Sequence, residues 1–300
     1  MAKNSNIEWT HHTFNPWWGC AKVSPGCKNC YAESWAVRVG LQVWGTRSPR
    51  RFFGNDHWGE PILWNQEAKD ERSRRRVFCA SMADVFEDRR DLDEWRKRLW
   101  PLIEQTTWLD WLLLTKRPES VSCFVPWGQE WPRNVWLGTT VELQEWAMRR
   151  IPALLDIPAA IRFVSCEPLL GPVDLRPWLP PAPQPPARFQ RQSEHYRGRR
   201  YIDWVIAGGE SGPKARPMHP CWAERLRDQC IASGVPFHFK QWGHWRPSDG
   251  ERDSAHAAVR MRGDDGKAVM MVKLGKKAAG RALGGRIWDG IPRSSGVRQE

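Results

Sequence analysis

Six short apolar runs between residues 77 and 240 constrain this fold more than any other feature. They are VFCASM (77–82), WLLLT (111–115), VWLGTTV (135–141), IRFVSC (161–166), IDWVIAGG (202–209) and VPFHFK (235–240). Each is too short for a buried helix and is mostly bounded by turn residues, the pattern of strands covered on both faces. Helical segments lie between them. Residues 91–105 open with Asp91 and carry Glu94 three places on, a capping-box arrangement, and Leu92, Trp95, Leu99 and Ile103 share one face. A second helix is expected over 142–155. A third, over 220–233, starts at Pro220, repeats Trp222, Leu226 and Cys230 at helical spacing and can close at Gly234. Repeated strand–helix units, with one more strand upstream, predict an α/β fold with a parallel sheet, as a partial or complete (β/α) barrel. A doubly wound sheet is the rival.

Two segments break the rhythm. Residues 176–200 are Pro-rich and then Arg-rich, and read as an insertion between two strands. After residue 243 the alternation stops, and VRMRGDDGKAVMMVKLG reads as a hairpin turning at Asp264-Asp265-Gly266. The expected organisation is a barrel-like domain over 1–243 and a small appended subdomain over 244–300.

If the sheet is a barrel, its chemistry belongs at the C-terminal ends of the strands. Those ends offer Ser81 and Asp84, then Lys116 and Arg117, then Thr139, Thr140 and Glu142, then Ser165 and Glu167. Gly208, Gly209 and Glu210 follow, and then Lys240 and Gln241. Asp84, Lys116, Arg117, Glu142, Lys240 and Gln241 are the candidates for substrate contact. Thr139 and Glu167 are candidates for holding a cofactor. Each has a plainer reading as a cap, a surface ion pair or a strand-to-loop turn.

The most concentrated chemistry lies upstream. NPWWGCAKVSPGCKNCYAES places Cys20, Cys27 and Cys30 in a C-x6-C-x2-C pattern, three of the chain's eight cysteines. Three thiolates so close suit an iron–sulfur cluster with one iron left open. Gly19, Gly26, Pro16 and Pro25 supply tight turns, and Tyr31 onward leads into a helix whose N-terminus favours thiolate charge. A structural zinc site is the competitor, with His11 or His12 as the fourth ligand. Unligated buried thiols are the third reading.

The formal charge is +12, from 46 Lys and Arg against 34 Asp and Glu, which favours an anionic partner such as nucleic acid. Basic clusters occur at Arg47, Arg50 and Arg51; at Arg72, Arg74, Arg75 and Arg76; at Arg197, Arg199 and Arg200; and at Lys273, Lys276, Lys277 and Arg281. There are 21 Trp beside 3 Tyr; Trp can stack on bases but more often fills cores. No apolar run is long enough to span a membrane, and the N-terminal MAKNSNIEWT has no apolar signal core, so a cytoplasmic location is expected.

The stretches NPWWGCAKVSPGCKNCYAE, TKRP, NVWLGTTVE, RFVSCEPLLGPVDL, IDWVIAGGESGPKARPMHP, VPFHFKQWG and KLGKKAAGRALGGRIWDGIP resemble the three-Cys-motif family of phage and bacterial proteins. The resemblance covers almost the whole chain outside the Pro/Arg-rich insertion. It implies a phage-related protein distantly similar to radical S-adenosylmethionine (SAM) enzymes, carrying a 4Fe-4S cluster on Cys20, Cys27 and Cys30, with SAM as second cofactor. It also implies a dedicated partner protein for some members. The first cysteine gap here is six residues, where radical SAM enzymes usually have three. Such enzymes commonly use a Gly-Gly-Glu at a strand end to hold the SAM amino group, a role that Gly208-Gly209-Glu210 could take.

Two functions follow as expectations. One is a radical-SAM-like enzyme acting on nucleic acid or nucleotides. The other is a nucleic-acid-binding protein with a structural Fe-S or Zn site that works with a partner protein and performs no SAM chemistry.

Overall fold

The computed structural model describes residues 3–181, 200–250 and 256–293. Seven strands lie side by side in one sheet, in the order in which they occur along the chain. They are β1 (His12–Thr13), β2 (Arg75–Cys79), β3 (Leu109–Thr115), β4 (Val135–Thr140), β5 (Ile161–Cys166), β6 (Trp204–Gly208) and β7 (Phe237–Gln241). Every pairing is parallel. A doubly wound sheet reverses its strand order at a switch point; this sheet does not. It curls into a half-barrel whose outer strands, β1 and β7, do not pair with each other.

The longer helices are α1 (Tyr31–Arg38), α2 (Asn55–Asp70), α3 (Asp93–Gln105), α4 (Gln144–Leu155) and α5 (Pro220–Ser233). The last has the expected limits and closes at Gly234, which sits in the left-handed region at φ 69°. At the start of α3 the expected capping box is absent. A 3-10 turn at Arg90–Leu92 comes first, α3 begins at Asp93 without a side-chain cap, and Asp91 pairs with Arg89 instead. Helix α2 carries Pro61 in its interior, which hides it from a reading by helix signals.

Strand alternation divides the interior into two cores. Outward-facing Val77, Trp111, Leu113, Leu137, Val164 and Val205 pack under the helices with Leu99, Ile151 and Leu226. Inward-facing Phe78, Leu112, Trp136, Phe163, Trp204 and Ile206 meet Trp9 and fill the concave side. Gly138 makes this possible, because a Cβ there would lie 2.4 Å from the Phe163 ring. The tryptophans are largely core: Trp9, Trp17, Trp64, Trp111, Trp136 and Trp204 are among the largest fully buried side chains.

The hairpin after residue 243 is present as β9 (Ala258–Arg262) and β10 (Ala268–Lys273), joined by β8 (Trp245–Pro247) in a separate antiparallel sheet. The tail beyond it does not stay in that appendage. It returns along β7, where Phe239 N–H donates to Trp288 O at 2.9 Å and Gly290 N–H to Phe237 O at 3.0 Å. The open sheet edge is thereby covered. The insertion begins as packed chain, with Trp178 and Leu179 buried; its residues 182–199, including Arg197 and Arg199, lie outside the described residues.

Candidate functional site

The chain reaches the cysteines by an anchored route. After β1, fully buried Asn15 accepts the Met82 N–H at 2.7 Å and donates to Ser81 Oγ at 3.1 Å, tying the loop to the C-terminal end of β2. Gly19 N–H donates to Met82 O at 3.0 Å. Gly19 has φ +116°, and a Cβ there would lie 2.3 Å from Val43 O, so both backbone and packing demand glycine. Cys20 comes next. Cys30 stands immediately before α1, at its N-cap.

The six residues between Cys20 and Cys27 form a loop with its own support. Ser24 Oγ hydrogen-bonds to Glu142, and Gly26 packs so closely on Glu142 that a Cβ would lie 2.5 Å from its Oε1. Glu142 is wholly buried and paired with Arg150 at 2.7 Å. Pro25 O accepts from Arg216 at 3.0 Å. The longer first gap is therefore a built, supported feature.

Cys20, Cys27 and Cys30 are free, half-buried thiols. All three line one cavity of about 410 Å³ at the C-terminal ends of the strands. Burial pushes the Cys20 thiol up to about 12, with Asp84 adding to the rise and Arg117 opposing it. Burial also raises Cys30, against the backbone N–H groups of Glu33 and Ala32 and the charge of Lys116. Zinc holds thiolates near 2.3 Å from the metal, so about 3.8 Å from one another. Among the described residues, the one group of three metal-ligand atoms within 4.8 Å lies elsewhere, at His219, Cys221 and Asp265. Cys20, Cys27 and Cys30 do not form such a group. The proposed zinc ligands His11 and His12 lie on or beside β1 with Nδ1 atoms accepting from Arg76 and Asn4 N–H groups, and neither lines the cavity.

The inward strand positions supply the cavity's polar wall: Lys116, Thr140, Ser165, Glu167 and Lys240. Thr139 is not among them. It faces outward, wholly buried, with its hydroxyl on Thr115 O at 3.0 Å, so the rim position belongs to Thr140. Glu142 also lies off the cavity, behind the cysteine loop. Asp84 reaches the cavity but has no free capacity: it accepts from Thr115 Oγ1, Lys116 N–H and, at 2.8 Å, Arg117. Arg117 in turn donates to Ala21 O at 2.8 Å and stands 3.9 Å from Cys20 Sγ. Asp84 and Arg117 thus position the first cysteine. Glu167 and Lys240 form an ion pair at 2.7 Å on the cavity wall. Among the described residues, Lys116 Nζ donates to the Thr140 hydroxyl alone, at 3.2 Å. Gln241 is 4% exposed, donates to Ser211 Oγ, and leaves its Oε1 without a partner, an acceptor suited to a ligand donor.

The Gly208-Gly209-Glu210 segment differs from expectation. Gly208 is not on the cavity wall. Gly209 is, but a Cβ there would lie 2.0 Å from Trp242 O, so the missing side chain accommodates the neighbouring chain. Glu210 is bound by Arg216 at 2.5 Å and by Asn29 Nδ2 at 3.0 Å. Burial raises its carboxyl, and the bonds from Arg216 and Asn29 overcome that and hold it below the usual range. Glu210 holds the cysteine loop at Asn29, as Glu142 holds it at Ser24. Arg216, six residues on, was the sequence signal for this role. Tyr31 also borders the cavity, with its hydroxyl donating to Ser81 O at 2.7 Å.

Among the described residues, the basic clusters do not gather at this mouth. Arg50 is buried against Glu87. Arg74 and Arg75, at the opposite end of β2, pair with Asp110 and Glu71. Among the described residues of these clusters, only Lys276 reaches the cavity wall, which Lys22, Lys116 and Arg117 also line. No helix among the described residues is long and apolar enough to cross a membrane.

With this geometry in hand, a family model described as "Protein of unknown function (DUF5131)" matches residues 4–292. The chain belongs to that family. No curated protein matches it in sequence. Among solved structures it is similar to spore photoproduct lyase. A double mutant with bound AdoMet and dinucleoside spore photoproduct is 10% identical, covering 88% of this chain and 68% of that one, with a TM-score of 0.42. A single mutant is 12% identical, covering 90% and 70%, with a TM-score of 0.43. The complex with dinucleoside spore photoproduct is 11% identical, covering 88% and 68%, with a TM-score of 0.41.

Proposed function

We propose that this protein is a radical-SAM-like enzyme whose Cys20, Cys27 and Cys30 hold a 4Fe-4S cluster at the mouth of the half-barrel. One observation carries the reading: three free thiols on one braced loop line a single cavity at the C-terminal ends of seven parallel strands. When bound, such a cluster supplies one-electron reducing power and an open iron for a chelating ligand. The chain's own groups do the rest. Asp84 and Arg117 fix Cys20, Glu142 and Arg150 fix the loop before Cys27, and Glu210 with Asn29 fixes the loop before Cys30. The aromatic floor of Trp9 and Phe78 keeps water from the inner end of the cavity. Gln241 Oε1 offers an acceptor to a SAM ammonium or ribose hydroxyl. Lys116 and Lys276 suit a phosphate-bearing substrate, so nucleotides or nucleic acid are the substrate class of this reading. A phage-related setting, the three-Cys-motif partner protein and a cytoplasmic location complete it.

The test is SAM turnover by anaerobically reconstituted protein with a strong reductant, alone and with DNA, RNA or nucleotides. Cleavage to 5′-deoxyadenosine that Cys30→Ala abolishes is the expected result. Salt-dependent nucleic-acid binding without any SAM cleavage would replace the enzyme by the binding-protein reading.

A further inference from the structure

His219 and Cys221 flank Pro220 at the start of α5, away from the cavity. His219 Nδ1 lies 2.9 Å from Cys221 Sγ and 3.3 Å from its backbone nitrogen. Facing them is the β9–β10 turn, which brings Asp265. One donor atom from each of His219, Cys221 and Asp265 falls within 4.8 Å of the others. Asp264 lies beside the three, with Oδ1 at 3.4 Å from Cys221 Sγ, while its other oxygen pairs with Arg225.

Two features of this cluster call for a cation. His219 is 1% exposed, and its Nε2 has no partner. Gly263 keeps the centre clear, since a Cβ there would lie 2.5 Å from Asp265 Oδ1, 2.6 Å from His219 Cε1 and 2.8 Å from Cys221 Sγ. Asp265 is exposed, which gives an ion a way in. A set of one imidazole, one thiolate and carboxylate oxygen suits zinc, whereas magnesium and calcium take oxygen ligands.

We propose that His219, Cys221 and Asp265, with Asp264 beside them, form a zinc site separate from the Cys20–Cys27–Cys30 loop. Its ligands come from α5 and from the C-terminal hairpin, so the ion staples the small antiparallel sheet to the half-barrel. The site stands whether or not the proposed enzyme activity does.

The experiment is zinc counting on the full chain after equilibration with zinc and removal of loose metal. Wild type is expected to hold one zinc more per chain than Cys221→Ala, and the Cys20/Cys27/Cys30 triple Ala variant to keep this ion. Equal counts in wild type and Cys221→Ala overturn the proposal, as does loss of the ion in a folded triple variant. If Cys221→Ala does not fold, Asp265→Asn, in an exposed turn, is expected to weaken zinc binding at least tenfold in a competition titration with a chelator. Unchanged affinity in that variant overturns it equally.

Discussion

Replacing Arg150 by Met tests the support of the cysteine loop. Arg150 and Glu142 form a buried pair at 2.7 Å, with side-chain exposures of 2% and 0%. Arg150 also donates to Thr140 O at 2.8 Å and lies over the Trp146 ring at 4.2 Å. Met retains much of the packing and removes the charge, leaving the Glu142 carboxylate buried and uncompensated. Removing one partner of such a pair costs about 3–5 kcal/mol. The loss is measured by denaturant unfolding. Adding Glu142→Gln removes the stranded charge, so the double variant should recover about half of it, a coupling that a double-mutant cycle isolates. Because Ser24 and Gly26 rest on Glu142, the single variant should also retain less iron than wild type. A cost below about 1 kcal/mol, or a double variant no more stable than Arg150→Met, would refute the argument.

Other outcomes follow from the same geometry. Gly26→Ala drives a Cβ to within 2.5 Å of Glu142 and should cost about 1–3 kcal/mol and lower iron retention; Gly59→Ala, inside α2 with nothing within 4 Å, should stabilise by about 0.5–1 kcal/mol in the same melts. Arg117→Lys keeps the charge but loses the fork joining Asp84 to Ala21 O, so iron content should fall severalfold while the unfolding midpoint moves little. Burial, reinforced by Arg281, lowers His238 from 6.5 to about 4, and the folded protein binds fewer protons there than the unfolded chain. Stability from this group is therefore intact above pH 6.5 and falls by about 3 kcal/mol as pH drops toward 4; unfolding curves of His238→Phe should lose that part of the acid slope.

Much of the fold is written in local pattern. The six apolar runs became β2 to β7 because burial on both faces leaves a short continuous apolar run between turn residues, a signal that needs only neighbouring residues, and α5 was legible from Pro220 to Gly234 because both ends carry punctuation. What failed depended on distant partners. Asp91 looked like a cap, but Arg89 takes it. Glu210 lines the cavity, but the bonds from Arg216 and Asn29 that hold it are not visible in local pattern. Thr139 and Thr140 are chemically alike, and only the inward parity set by Leu112, Leu114 and Lys116 across the sheet assigns the cavity to Thr140. The return of Trp288 and Gly290 along β7 has no local signature, since it is a contact between remote segments. The cysteine spacing was legible as three thiols on one loop, which the structure places on one cavity, whereas the residues that brace that loop, Glu142, Arg150 and Asn15, declare themselves only in three dimensions.

The most direct measurement is iron and acid-labile sulfide per chain after anaerobic reconstitution, for wild type and for Cys20→Ala, Cys27→Ala and Cys30→Ala separately. About four irons and four sulfides in wild type, with a visible absorption band that SAM perturbs and that each substitution diminishes, is the predicted result. Stoichiometric zinc at these cysteines with no iron, or iron retained unchanged when any one of the three is removed, would contradict the account.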